Sequence, residues 1–368
     1  MNNQKKIQNQ IYNNQQSANE HLYMSKFLPI FSRAETEIKK LIARFFWEMR
    51  NKTILILTIE KYITELDKRI PKNIFNRQAY FNGLRKKSML MVDTYYTKAR
   101  TVFAGVLGLL IANQVSIGQK MPKIETPKQL VSYMKNEKIK YNMWSQAKAA
   151  VRVQNYPKQL QMYINNLTGE VITITETGRK PISLWQKAEL DIRYENQMKM
   201  VQDKIDNGET LCWISSHPDC SKRCERWQGK LVSLTEHATM SGFRVKKVDG
   251  HWVYSLPDSM DQVDKYGYHN NIINGFNCRH HLINYTRGSV APKEYENEDV
   301  ERMRKVNTDL RTLERQIRHY KEQEKLYNSI NDGRNAQISR HKSNVLTKVY
   351  YDMCKKYGFA IQEYRLKV

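Results

Sequence analysis

The chain has 368 residues, more than one small domain needs, and carries 61 Lys and Arg against 37 Asp and Glu, for a formal charge of +24 and a pI of about 9.7. Hydrophobic residues at 40% and aromatic residues at 10%, with a mean hydropathy of -0.71, leave enough apolar side chains for real cores while excluding a wholly disordered chain and a polytopic membrane protein. So positive a field favours polyanions, which makes nucleic acid or an acidic protein surface the first partner to test.

Eleven of the first twenty residues are Asn or Gln, with none of the apolar core a secretion signal requires, so residues 1–20 are expected to be a flexible, solvated tail. From Ala34 to Ile70 the apolar residues Ile38, Leu41, Ile42, Phe45, Phe46 and Met49 recur at three and four, which predicts one amphipathic helix closed by Pro71. Further helices are predicted from about Ile74 to Ile117 and from Pro127 to about Asn155, with a turn between them. The apolar heart of the uncharged stretch, Val102 to Ala112, is interrupted by Gly105 and Gly108 and is too short for a bilayer, so no stable membrane anchor is expected.

Between Met1 and Leu160 there are 28 basic and 10 acidic residues, so +18 of the +24 falls there, and residues 21–160 read as a basic helical domain. Lys39, Lys40, Arg44, Arg77, Arg85, Lys86, Lys87, Lys98, Arg100, Lys135, Lys138 and Lys140 are the candidate contacts. On helices they would neutralise phosphates of double-stranded DNA without reading sequence. The ordinary fate of such runs is a solvated helix face; eighteen excess charges exceed what solubility needs, which favours a polyanion.

Residues 161–210 read as a hairpin and a connecting helix. Val171 to Thr175 is a β-branched run ending at Thr177-Gly178, and a helix from Trp185 to about Asp206 stops at Asn207-Gly208. Residues 211–290 hold four of the five cysteines and many turn residues, the texture of a compact, irregular α+β domain. In residues 291–368, Met303, Val306, Leu310, Leu313, Ile317, Tyr320 and Tyr327 step by three and four, broken at Glu324, which predicts a coiled-coil-like helix. Self-association through residues 303–327 and packing back onto the chain's own helices are equal readings of that seam. A break at Gly333, a helix from Ser339 to Tyr357 and a terminal strand complete the expectation. The fold class is thus a mainly α N-terminal half, a small irregular α+β Cys/His-bearing domain and a C-terminal coiled-coil-like helix.

The densest chemistry lies in His217-Pro218-Asp219-Cys220-Ser221-Lys222-Arg223-Cys224 and in Cys278-Arg279-His280-His281. Cys220 and Cys224 have the spacing of half a zinc site, and Cys278 with His280 or His281 offers the other half. Three other readings stay open: buried thiols and imidazoles without an ion, a thiol pair oxidised outside the cell, and catalysis by a Cys-His pair. Five cysteines in so long a chain fit synthesis in a reducing cytoplasm. The His280-His281 pair with Asn274, Asn277 and Asp219 makes metal-dependent phosphodiester hydrolysis thinkable, although no acidic cluster stands near it in the sequence.

Trp227-Gln228-Gly229-Lys230, followed by Tyr266-Gly267 and then Gly275-Phe276-Asn277-Cys278-Arg279-His280, resembles the phage minor capsid protein family (type 2). That family is itself distantly similar to the Mu F-like phage head morphogenesis proteins, whose shared domain also ends in an Asn-Cys-Arg pattern. The resemblance implies a non-enzymatic structural protein of a tailed phage or prophage, made in the bacterial host cytoplasm and placed in the capsid interior near the portal. Its partners would be the portal or other capsid proteins and double-stranded DNA, with a part in head morphogenesis or DNA ejection. His217, Trp227, Gln228, Gly229, Lys230, Tyr266, Gly267, Asn277, Arg279 and His281 would then organise the module around the candidate ligands Cys220, Cys224, Cys278 and His280. The alternative is a metal-dependent nuclease or toxin-like hydrolase carried in the virion.

Overall fold

The computed structural model describes residues 28–48, 51–70, 77–116, 120–136, 147–174, 179–265, 267–268, 273, 275, 278–292, 295 and 297–368. The Asn/Gln-rich start, Tyr266, Asn274, Asn277, Lys138 and Lys140 lie outside the described residues, as does the side chain of Lys135. The chain forms two compact units, each built from separated segments. One comprises residues 1–31, 174–314 and 349–365, and the other residues 32–173, 315–348 and 366–368.

The second unit is helical, as its periodicity predicts. Helix α1 spans residues 28–47, α2 Lys52–Arg69, α3 Arg77–Met91 and α4 Lys98–Ser116, with a π-helical turn Val92–Thr97 joining α3 to α4. Helix α5 is Pro127–Asn136 and α6 Ala147–Gly169. The single helix expected from Ala34 to Ile70 is two, because Asn51 caps α2 by accepting from the Thr53 N–H at 2.7 Å. Ile38, Ile42 and Phe46, one turn apart, are buried, as are Ile59 and Ile63 of α2, Phe81 of α3 and Tyr156, Leu160 and Ile164 of α6. No described helix is long and apolar enough to cross a membrane.

The other unit begins at a short hairpin ribbon, β1 Thr173–Ile174 with β2 Ile182–Ser183. Ser183 and Gln186 then form a capping box that starts α7, Leu184–Asp206. The strands that follow are β3 Leu211–Ile214, β4 Leu231–Ser233, β5 Arg244–Val248, β6 His251–Ser255 and β7 Leu282–Asn284, with helices α8 Lys222–Glu225 and α9 Leu256–Met260 between them. They form one mixed sheet in the order β5-β6-β4-β3-β7, in which β4 and β6 alone run parallel. Alternation sorts the two faces. Cys212, Ile214 and Val232 pack with Val201, Trp227, Leu256 and Leu282 on one, while Trp213, Leu231 and Val253 pack with Ile283 and Tyr285 on the other. Asp249 and Gly250, at φ 48° and 82°, make the tight turn between β5 and β6.

The C-terminal helices are α10, Asn297–Ser329, and α11, Gly333–Tyr357. Gly333 opens α11 rather than breaking the chain. The reversal lies at Asn331, left-handed at φ 60°, where the Asp332 N–H returns to the Tyr327 carbonyl at 2.9 Å. Val306, Leu310, Ile317 and Tyr327 of the heptad seam are buried within the single chain. The expected terminal strand is a 3₁₀ turn, Glu363–Leu366.

Candidate metal centre

The Cys/His residues are positioned by two short segments at one end of the mixed sheet. Cys224 lies in α8, whose first turn is closed by the Cys224 N–H on the Ser221 carbonyl at 2.9 Å. Cys278 and His280 lead into β7, and the ladder between β3 and β7 extends to Ser215, whose N–H donates to the His281 carbonyl while its hydroxyl accepts from the His281 N–H, both at 3.0 Å. The turn Trp227 to Lys230 is pinned to β3 by the Ile214 N–H on the Lys230 carbonyl (2.9 Å) and the Gly229 N–H on the Ile214 carbonyl (3.1 Å).

This brings a ligand atom from each of Cys224, Cys278 and His280 within 4.8 Å of the others, all three buried. The single residue between Cys278 and His280 is no obstacle, because in extended chain residues i and i+2 project to the same side. Cys278 Sγ stands 3.5 Å from His280 Nδ1, the separation of about 3.5 Å that a thiolate and an imidazole adopt on one tetrahedral zinc. Two sulfurs and a nitrogen suit a borderline ion. A hydrogen bond with Cys278, reinforced by burial, pushes the Cys224 thiol up to about 12, so an ion entering here would displace protons.

Cys220 is buried beside Cys224 but lies outside that three-atom set, and its sulfur accepts from Gln228 Nε2 at 2.9 Å. His281 also lies outside that set, with Nδ1 3.4 Å from the Arg279 carbonyl. Burial first, then the neighbouring His280, keep the His281 ring neutral, at about 4, despite that carbonyl. His217 is held by Ser215 at 3.0 Å from Nε2, and burial followed by His280 and Arg279 keeps it well below the usual imidazole range. Of the remaining motif residues, Trp227 fills the core against Phe243 and Tyr254, Lys230 lies 5.8 Å from the Tyr254 ring centre, and Gly267 is crossed by the Arg179 side chain.

The cluster opens on a cleft of about 210 Å³ lined also by Lys222, Arg223, Arg279, Arg304 and Arg311. Asp219 is the one acidic side chain among its described lining residues, and Arg279 and Asn307 (2.8 Å) already bind its carboxylate. Arg304 and Asn307 come from α10, 84 and 88 residues from their partners Cys220 and Asp219, and Arg193 of α7 donates to the Cys278 carbonyl at 2.5 Å. No local signal in the sequence singled out these three supports.

Gly229 sits at φ +67° with its missing Cβ 3.4 Å from the Pro292 carbonyl. Gly229→Ala is therefore expected to cost about 1–2 kcal/mol, read as a lower melting temperature of the full chain. An unchanged melt would show that the turn does not need its left-handed residue.

Residues 194–348, from within α7 into α11, match the family described as phage minor capsid protein 2. That stretch is what the chain shares with the minor capsid family. It contains every described member of the cysteine-histidine cluster and the cleft beside it. No curated protein and no solved structure matches the chain.

The basic residues expected to meet DNA divide sharply by exposure. Lys39 is buried, its ammonium held by Glu322 at 2.9 Å and Glu35 at 3.3 Å, so it cannot serve as a phosphate contact. Lys40, Arg44, Arg77, Arg85 and Lys87 pair with Glu37, Glu48, Asp67, Glu60 and Glu170. Lys86, Lys98 and Arg100 are exposed on α3 and α4.

Proposed function

We propose that the protein is a non-enzymatic structural component of a phage head, lying in the capsid interior near the portal with its basic helical unit against packaged DNA. The observation that carries this reading is the minor capsid match over residues 194–348. The charge distribution supports it, since +18 of the formal +24 lies between Met1 and Leu160 and such an excess suits a compartment filled with polyanion. The Cys224, Cys278 and His280 cluster serves here as a zinc staple, tying α8 to the lead-in of β7. The one carboxylate in the described cleft lining, Asp219, is bound to Arg279 and Asn307 and is poorly placed to activate water.

Binding to duplex DNA of mixed sequence is expected to weaken steeply with salt and to show no preference among sequences. Replacing Lys86, Lys98 and Arg100 together by Ala should reduce the slope of log K against log[salt] by about 1 per residue removed. Fluorescence anisotropy over a salt series measures it, and a slope unaffected by the triple replacement would remove these residues from the interface. Absence of the chain from purified particles would defeat the reading as a whole. Cleavage of DNA with added divalent metal, abolished by His280→Ala, would replace it with the hydrolase.

A further inference from the structure

Three ligand atoms converge, and a structural zinc site needs four. The surroundings of the cluster narrow the choice of the fourth. Asp219 is tied to Arg279 and Asn307, and His217 is fixed at Ser215 and stacked edge-on to His280 with ring centres 5.0 Å apart. Cys220 is different. It is buried, it lies four residues before Cys224, and its sulfur accepts from the Gln228 amide.

That donor is the informative atom. The His217 N–H donates to Gln228 Oε1, which fixes which end of the amide is oxygen and which is nitrogen. The oxygen also lies 3.3 Å from His280 Nε2, so it accepts the proton there and leaves the Nδ1 lone pair facing Cys278. The nitrogen lies 2.9 Å from Cys220 Sγ. One side chain thus orients an imidazole for ligation with one end and donates to a sulfur with the other. Outer partners that orient and hydrogen-bond metal ligands have this arrangement, and an N–H bond to sulfur strengthens when the thiol becomes a thiolate.

We propose that Cys220 completes a closed zinc centre with Cys224, Cys278 and His280 Nδ1, and that Gln228 is the residue positioning two of the four ligands. Closure requires the Cys220 side chain to turn towards the other three while keeping its bond to Gln228. The centre then joins the loop before α8, α8 itself and the lead-in to β7, segments that share little apolar core: Cys220 and Cys224 pack with Val300 and Tyr295 in a cluster of their own. This deepens the zinc-staple reading and rests on it.

The test uses the full chain, purified without chelator. X-ray absorption at the zinc edge is expected to show three sulfurs and one nitrogen; two sulfurs would overturn the role of Cys220 while leaving a metal site in place. Absence of stoichiometric zinc after supplementation would overturn the staple reading itself. In cobalt-substituted protein, Cys220→His, which keeps a ligand, should remove about one third of the thiolate charge-transfer intensity, and Cys354→Ser, a buried cysteine outside the cluster, should remove none. Equal intensity in wild type and Cys220→His would again exclude Cys220. Gln228→Ala should retain the three-thiolate spectrum with metal affinity lowered about 10- to 100-fold, and unchanged affinity would remove Gln228 from its positioning role.

Discussion

Replacing Lys39 by Met is expected to destabilise the chain by about 3–5 kcal/mol near pH 8, read as a fall in the midpoint of chemical denaturation. The ammonium is almost fully buried and serves two carboxylates and two carbonyls: Glu322 (2.9 Å), Glu35 (3.3 Å), Glu170 O (2.6 Å) and Thr168 O (3.2 Å). Removing it leaves a buried carboxylate without its counter-ion, which costs far more than the net worth of the pair. Burial first, with the neighbouring Glu35 adding to it, raises the Glu322 carboxyl to about 7 even against Lys39. Between its ordinary 4.5 and about 7 the folded chain therefore holds a proton that the unfolded chain releases, so this group's contribution to stability falls as pH rises through that window. Two outcomes follow. The penalty of Lys39→Met should shrink at pH 5, where Glu322 is neutral, and Glu322→Gln should flatten the pH dependence between 4.5 and 7. A penalty equal at pH 5 and pH 8 would show that Glu322 is not the group left stranded.

Lys39 also marks where sequence reasoning stops. Its neighbour Glu35 at i-4 is a local pairing signal, but Glu322 lies 283 residues away, so sequence alone places the lysine among surface charges. Periodicity carried α3, α4, α7 and α10 because helix burial repeats locally, and it overran the α1–α2 break because apolar residues continue through Ile54 and Leu57, which the structure leaves exposed. Asn51 was the overlooked stop, a side chain suited to starting a new helix. In the five-stranded sheet the strands are three to five residues long, too short for period-two patterns to stand out, and the parallel pairing of β4 with β6 has no local signature. All four proposed ligands are legible in the sequence, Cys220 and Cys224 as a spacing and Cys278 with His280 as a second cluster. The convergence of Cys278 and His280 on Cys224 depends on β7 pairing with β3, which no motif announces.

The second large effect lies beneath that cluster. Glu189 of α7 is buried, with its carboxylate on Arg365 at 2.5 Å and on Arg193 at 3.4 Å; Arg365 reaches on to Glu314 at 3.8 Å, and Arg311 also binds Glu314. Three guanidinium groups thus share two carboxylates. Burial alone would raise the Glu189 carboxyl, but Arg365, Arg193 and Arg311 outweigh it and hold the group at about 2. Glu189→Leu deletes half of the negative charge and leaves Arg193 and Arg365 buried together, an expected loss of about 3–5 kcal/mol at neutral pH. Because the folded value is depressed, this stabilisation is present above about 4.5, the ordinary carboxyl value, and is lost as pH falls towards 2. Wild type should therefore lose stability between pH 4.5 and 2, and that acid-dependent part should be missing from Glu189→Gln. Arg193 also donates to the Cys278 carbonyl, so the network holds the backbone that presents the cluster. On the zinc-staple reading, Glu189→Leu weakens metal retention as well as raising the unfolded fraction. Tight metal binding by the destabilised variant would show that the charge network supports the fold without positioning the centre.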